Sequence, residues 1–376
     1  MQLKIGLLTT QQTNIGDDLI RRGLINVFDN CNNGNEYFPV NKHWPMHAYP
    51  SGHPLRIFSR LSPLPKSLAL KLHRLAYRRF SPSSSVFASC DLILQCGTPV
   101  YHRNCHNDEW ADPIWRHIFV PLSERMPIIN LAAGACFPWA DQPESLSGAP
   151  SESYVRTITE CCNVTTVRDQ LASKLVGSVT KSAPEVVPCS AFLHDYGNDN
   201  RESQGTVAIN YMPSAGHFNW GKVVDSEAYE KNFVDFVNSI AESHKVIMLC
   251  HDERERTHAE RLWPQFDVAL PKTAAEYGGA IEGCVAGVCN RMHAAVALAG
   301  SGIPAIAICT DTRLLMVKEL GLPIFYGGDL DLNEVRESLE SLIANFQDHR
   351  ERLLALRKDT FDRYSKIVTG ELEKLR

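Results

Sequence analysis

Short apolar runs alternate with stretches whose apolar residues recur at three- and four-residue spacing, and this rhythm continues along almost the whole chain. Residues 2–9 read as a strand. After the polar turn 13–18, Leu19, Ile20, Leu24, Ile25 and Phe28 fall on one face of a helix spanning 19–28. Further apolar runs predict strands at 92–95, 128–132, 164–167 and 186–187. Helical spacing predicts helices at 112–125, 151–161 and 169–176. Strands that alternate with helices in this way build a parallel sheet with helices on its faces.

The segment 196–205 is polar, contains glycine and has no periodicity, which marks a linker. A second series follows, with strands at 206–211, 245–250, 268–270, 284–288 and 305–309 and helices at 227–243, 253–263, 273–282, 292–299 and 313–320. At 376 residues the chain suits two domains of ordinary size. The expectation is an α/β protein of two Rossmann-like domains, 1–197 and 205–346, facing a central cleft. A charged helix, 347–376, closes the chain and by analogy packs back on the first domain.

Composition narrows the function. Forty-four per cent of residues are hydrophobic and 22% charged, as in a globular protein. The apolar stretch 294–310 is broken by Gly300-Ser301-Gly302 and Pro304, and it is shorter than the roughly 20 residues that span a bilayer. The first residues are too short an apolar run for a signal peptide, so a cytoplasmic location is expected. Twelve scattered cysteines then read as free or buried thiols. His102, Cys105 and His106 crowd one segment, but with no second ligand pair they read as a substrate-facing polar loop and no metal is expected.

The net charge is −5, which argues against a nucleic-acid partner. Its distribution is uneven. An insert, 37–90, carries no acidic residue and eight basic ones, Lys42, Arg56, Arg60, Lys66, Lys71, Arg74, Arg78 and Arg79. Within it, 66–80 reads as a basic amphipathic helix suited to peripheral contact with an anionic membrane at its inner face or with a phosphate-bearing lipid carrier.

The strongest chemical signal is the run from Cys284 to Gly300, in which an apolar strand ends and Asn290 stands where a helix N-cap is expected. Arg291 and His293 then fall in the first turn of an apolar helix. Open α/β sheets bind ligands at this carboxyl edge, and a helix N-terminus favours an anion. Arg168 repeats the pattern in the first half, at a strand end before Asp169. Asn14, Gly16 and Asp17 form the first strand-to-helix turn, and Gly97-Thr98 another tight loop after a strand.

In order, these pieces resemble the polysaccharide pyruvyl transferase family. The matching segments are Asn14-Ile-Gly-Asp17, Asp91 to Gly97, Val167 to Ser173, Pro188 to Phe192, Arg291-Met-His293 and Gly302 to Ile308. Three places depart from the family pattern. Cys96-Gly97 replaces a pair of glycines, Cys189 replaces an acidic residue, and Thr310-Asp311-Thr312-Arg313 lacks a tyrosine and a lysine.

The resemblance implies a GT-B-like architecture and transfer of a pyruvyl group from phosphoenolpyruvate to two hydroxyls of a glycan or lipid-linked sugar, leaving a ketal and phosphate. No cofactor beyond that co-substrate is implied. Arg291 and Arg168 are then the expected anion clamps and His293 the acid, with Asn290, Arg313 and Lys318 on the donor side. Asn14, Gly16, Asp17, Gly97 and Thr98 are the expected acceptor or cleft loops, and Trp115, Trp139, Tyr101 and Trp220 candidate sugar platforms. Two alternatives stand beside this reading: a GT-B-type glycosyltransferase using a nucleotide-sugar donor, and a non-catalytic sugar-binding protein.

Overall fold

The computed structural model describes residues 2–11, 15–61, 65–97, 99–194, 204–216 and 220–375. The first half holds β1 (Lys4–Thr9), β2 (Glu36–Asn41), β3 (Leu92–Cys96), β4 (Pro99–Tyr101), β5 (Ile128–Ala135), β6 (Val164–Val167) and β7 (Glu185–Val186). They form one parallel sheet in the order β2-β1-β3-β5-β6-β7, and β4 adds to the far end of β5. The second sheet contains β8 (Thr206–Asn210), β9 (Lys245–Leu249), β10 (Asp267–Ala269), β11 (Cys284–Cys289), β12 (Ala305–Cys309) and β13 (Ile324–Tyr326). Its order is β10-β9-β8-β11-β12-β13, again parallel. The central strands β3, β5, β8, β11 and β12 are buried at every position, as covering by helices on both faces requires.

The two α/β units meet along a short seam. Pro138 bridges Asp311 in antiparallel sense, Trp139 donates its backbone N–H to Thr310, and the Thr312 N–H reaches the Phe137 carbonyl at 3.0 Å. The last helix, Phe346–Glu373, crosses both units. Arg357 donates to the Gly300 carbonyl at 2.6 Å, while the Tyr364 hydroxyl donates to Pro188 at 2.9 Å and Arg363 pairs with Glu185 in the first unit. The expected packing of this helix on the first unit is therefore present. The expected linker lies almost wholly outside the described residues.

Several elements differ from the sequence expectation. The strand β2 is absent from it because Pro39 interrupts the apolar pattern, and β2 tolerates that proline at the sheet edge. β4 and β13 are only three residues long. The regular helix expected at 112–125 is instead a π-helix over Ala111–Phe119 running into a single turn, Val120–Leu122. Pro113 and Pro121 each remove an N–H donor there. The helix expected at 66–80 ends at Ala76 and tightens into a 3-10 turn, Tyr77–Arg79. All twelve cysteines are free thiols. Among the described residues, no helix is long and apolar enough to cross a membrane.

Candidate active site

Each sheet reverses its strand order once, between β1 and β3 in the first and between β8 and β11 in the second. Loops that leave the sheet in opposite directions at such a point open a crevice at the carboxyl ends of the strands. Asn210 and Asn290 end the two strands at the second switch point, and Gly97 follows β3 at the first.

Arg168 follows β6 and is completely buried. Its guanidinium lies on the backbone of β5, where a Cβ added to Gly134 would stand 2.3 Å from Nε. β5 is irregular at this place: its register with β6 shifts between Asn130 and Ala133, and Ala132 has a φ of +56°. A bulge of this kind re-aims the strand, and Gly134 leaves the room that the guanidinium fills. Gly134→Ala is expected to cost about 1–3 kcal/mol, because the side chain it would push against is enclosed. Urea unfolding measures this, and an unchanged midpoint would show that the guanidinium yields freely.

Nη1 of Arg168 donates to His293 Nε2 at 3.3 Å and lies 3.9 Å from Cys189 Sγ, whereas Nε and Nη2 have no hydrogen-bond partner among the described residues. A buried cation with two unmet N–H groups is costly, so the arrangement calls for an anion with oxygens to fill them. Beside it, Asp169 accepts from the N–H groups of Ala172 and Ala135. Burial pushes its carboxyl up to about 6, against the opposing pull of those bonds and of Arg168.

His293 comes from the opposite unit, in the first turn of the helix Met292–Gly300. Burial holds its imidazole well below the usual histidine range, and the positive charges of Arg168, Arg313 and Arg291 press it further down. It is neutral in this setting. Accepting from Arg168 places its own proton on Nδ1.

Asn290 and Arg291 depart from their expected roles. Asn290 does not cap the helix: its Oδ1 accepts from the Met212 N–H at 2.9 Å and its Nδ2 donates to the Tyr229 hydroxyl, tying β11 to the loop after β8. Arg291 occupies the cap position, and its guanidinium is already engaged. Nε donates to Glu255 at 2.6 Å, and Nη2 pairs with both Glu255 and Asp252. Two carboxylates compensate this charge, whereas among the described residues no carboxylate pairs with Arg168. Glu255 is buried and uses its second oxygen for Asn210 and the His251 N–H. Burial raises its carboxyl while Arg291 pulls it down.

The other expected residues scatter. Arg313 is bound through two nitrogens by Asp311, and Lys318 is exposed at the far end of the helix Leu314–Lys318, outside the buried group. Gly16 is buried in the first turn of the helix Ile15–Cys31. Asp17 also lies within that turn rather than capping it. Gly97, at φ +49°, has Ile20 packed against it, so a Cβ there would meet Cγ2 at 2.7 Å. Asn14 and Thr98 lie outside the described residues. Trp115 and Tyr101 are fully buried core residues and offer no platform, while Trp139 stacks on Tyr326 at the seam.

The structure gives further residues of the first unit partners that the sequence reading did not assign. Lys42, just past β2, is buried with Nζ 4.2 Å from the centre of the Trp110 ring. Burial lowers its ammonium to about 8, Asp17 and Asp108 oppose that, and Arg168 adds repulsion. Nearby, His102 Nε2 lies 2.9 Å from Asp108 and His43 Nδ1 lies 2.9 Å from Glu109, both half-buried pairs. The Tyr101 carbonyl accepts from the Cys136 N–H and Tyr101 is in register with Ala135, so His102 follows β4 at the carboxyl end of β5. No cluster with metal-binding geometry occurs among the described residues.

A family model described as polysaccharide pyruvyl transferase matches residues 14–311. Among solved structures, the S. aureus MnaA–UDP co-structure is 12% identical over 94% of this chain and 91% of that one, with a TM-score of 0.55. UDP-GlcNAc 2-epimerase from Neisseria meningitidis, bound to UDP-GlcNAc, is 9% identical over 100% of both chains, with a TM-score of 0.52. UDP-GlcNAc 2-epimerase from Methanocaldococcus jannaschii is 11% identical over 91% and 93%, with a TM-score of 0.51. At these identities the likeness is one of fold, two facing α/β units of GT-B type. No curated protein sequence matches significantly.

Proposed function

The chain belongs to the polysaccharide pyruvyl transferase family, and from that premise we propose that it transfers a pyruvyl group from phosphoenolpyruvate to two hydroxyls of a glycan or lipid-linked sugar. The observation that carries this reading is the buried guanidinium of Arg168, with two unmet donors, against a neutral imidazole from the facing unit. Phosphoenolpyruvate has a planar carboxylate that fits such a fork, and the fit fixes the reacting carbon beside His293.

The charge of the donor completes the acid. Negative charge placed between Arg168 and His293 offsets the repulsion that keeps the imidazole neutral, so His293 takes a proton as the donor binds. Protonated His293 gives that proton to the methylene carbon, and C2 becomes electrophilic. An acceptor hydroxyl adds there and loses its proton to His102, which Asp108 orients. Phosphate then leaves, the second hydroxyl closes the ketal, and its proton departs with the phosphate. His102 then returns its proton to solvent, which replaces the one His293 took up, so the two hydroxyl protons are matched by one in the new methyl group and one on phosphate.

This scheme predicts uptake of about one proton per site when phosphoenolpyruvate binds near neutral pH. Calorimetry in buffers of different ionisation enthalpy measures it. His293→Gln is expected to bind the donor and take up close to none. Binding without uptake in the unaltered protein would remove His293 as the acid. The same depressed imidazole has a sign for folding. Below the ordinary histidine value of 6.5 the unfolded chain binds the extra proton first, so this group lowers stability as pH falls. Phosphate release that requires both phosphoenolpyruvate and a glycan tests the reaction itself, and stabilisation by nucleotide sugars alone would favour a glycosyltransferase.

A further inference from the structure

We propose that the outer face of the two insert helices, Pro54–Leu61 and Lys66–Ala76, with the turn Tyr77–Arg79, docks on an anionic lipid surface. The proposal stands on this surface alone and not on the reaction. Among the described residues four large hydrophobic side chains are exposed, and three of them, Ile57, Leu68 and Leu75, belong to these helices. Leu75 is 76% exposed. Such exposure is unusual for one leucine and more so for a cluster.

The helix Lys66–Ala76 shows why this is a second face and not a badly covered core. His73, with Tyr77 in the following turn, is buried and packs inward, His73 against Tyr49 and Tyr77 against His117. Leu68, Lys71, Leu72 and Leu75 recur at i, i+3, i+4 and i+7, a stripe on the opposite side. The inner face already satisfies the fold, and among the described residues Leu68 and Leu75 of the outer one stay exposed.

Charge selects the occupant. Lys71, Arg78 and Arg79 are exposed beside the apolar stripe, and no acidic residue lies between Glu36 and Asp91. Of these three cations Arg78 alone has an ion pair among the described residues, with Asp112 at 3.8 Å. An apolar stripe inside a rim of cations matches a bilayer surface, with acyl chains beneath anionic headgroups. A second copy of this chain presents the same cations and is repelled. The insert follows β2 and leads, through Tyr77 and His117, to the helix Ala111–Phe119 beside Trp110. Docking there holds the carboxyl edge of the first sheet near the membrane.

The full chain is sedimented with vesicles of phosphatidylglycerol and phosphatidylcholine, and with phosphatidylcholine alone. Binding is expected only with the anionic lipid and is expected to weaken steeply as salt rises. The combined variant Lys71→Gln, Arg78→Gln and Arg79→Gln should lower partitioning on the order of a hundredfold. Leu68→Ser with Leu75→Ser should lower it at least about tenfold. These side chains are exposed, so unchanged thermal unfolding of each variant is the folding control. No sedimentation at low salt, equal binding to phosphatidylcholine, or variants that bind like the unaltered protein would each overturn the proposal. A dimer in solution that Leu75→Ser dissolves would assign the face to a second copy and overturn it as well.

Discussion

Arg168→Met is expected to lower turnover by about 10²–10³-fold and to abolish stabilisation by phosphoenolpyruvate, while leaving the empty protein as stable as before or more so. The two effects have opposite signs because the same atoms cause both. In the empty site the guanidinium is buried, has two unmet donors and presses on His293. Methionine has a comparable length, needs no partner and rests on the same glycine shelf, so removing the charge relieves the fold by about 1–4 kcal/mol. A ligand at about 100 times its dissociation constant adds roughly 2.7 kcal/mol to the unaltered protein and nothing to the variant. Thermal and urea unfolding with and without phosphoenolpyruvate separate the terms. Arg168→Lys keeps the charge but not the fork and should recover little of the donor effect. A methionine variant that loses stability and still responds to the donor would mean that Arg168 is structural.

Glu255→Ala is expected to destabilise the second unit by about 3–5 kcal/mol, the largest single-residue effect on stability proposed for this chain. The substitution deletes the main counter-charge of Arg291 and leaves Asp252 alone to hold it. It also removes the acceptor of the Asn210 side chain and of the His251 N–H, at the switch point where β8 and β11 end. Adding Arg291→Met should recover most of the loss, since the pair as a whole gives less than its separation costs. Urea unfolding of the two single variants and the double variant measures the coupling. Additive single effects would show that the two groups do not depend on each other.

Much of the fold was legible because periodicity is local. Buried parallel strands read as apolar runs, and amphipathic helices carry their own spacing, so ten of the thirteen strands among the described residues, and helices around them, were visible. Elements that break the local rule were not. β2 contains Pro39, and because β2 was missed Lys42 was read as one cation of a surface insert. The fold turns it into a buried ammonium over Trp110. The segment His251 to Glu255 directly follows β9, and that position at a strand's carboxyl end was the signal available for the partners of Arg291.

By itself the sequence determined two α/β units, the closing helix, a basic insert and the placing of Arg168, Arg291 and His293 at strand ends, since each depends on residues within a few positions of one another. Which guanidinium is left without a counter-charge was decided only by the tertiary structure. Arg291 meets Glu255 from 36 positions away, while Arg168 meets His293 from 125 positions away and, among the described residues, no carboxylate binds its guanidinium. Burial and partner charges, not residue type, set what each group does, and both exist only once the two units have closed on each other.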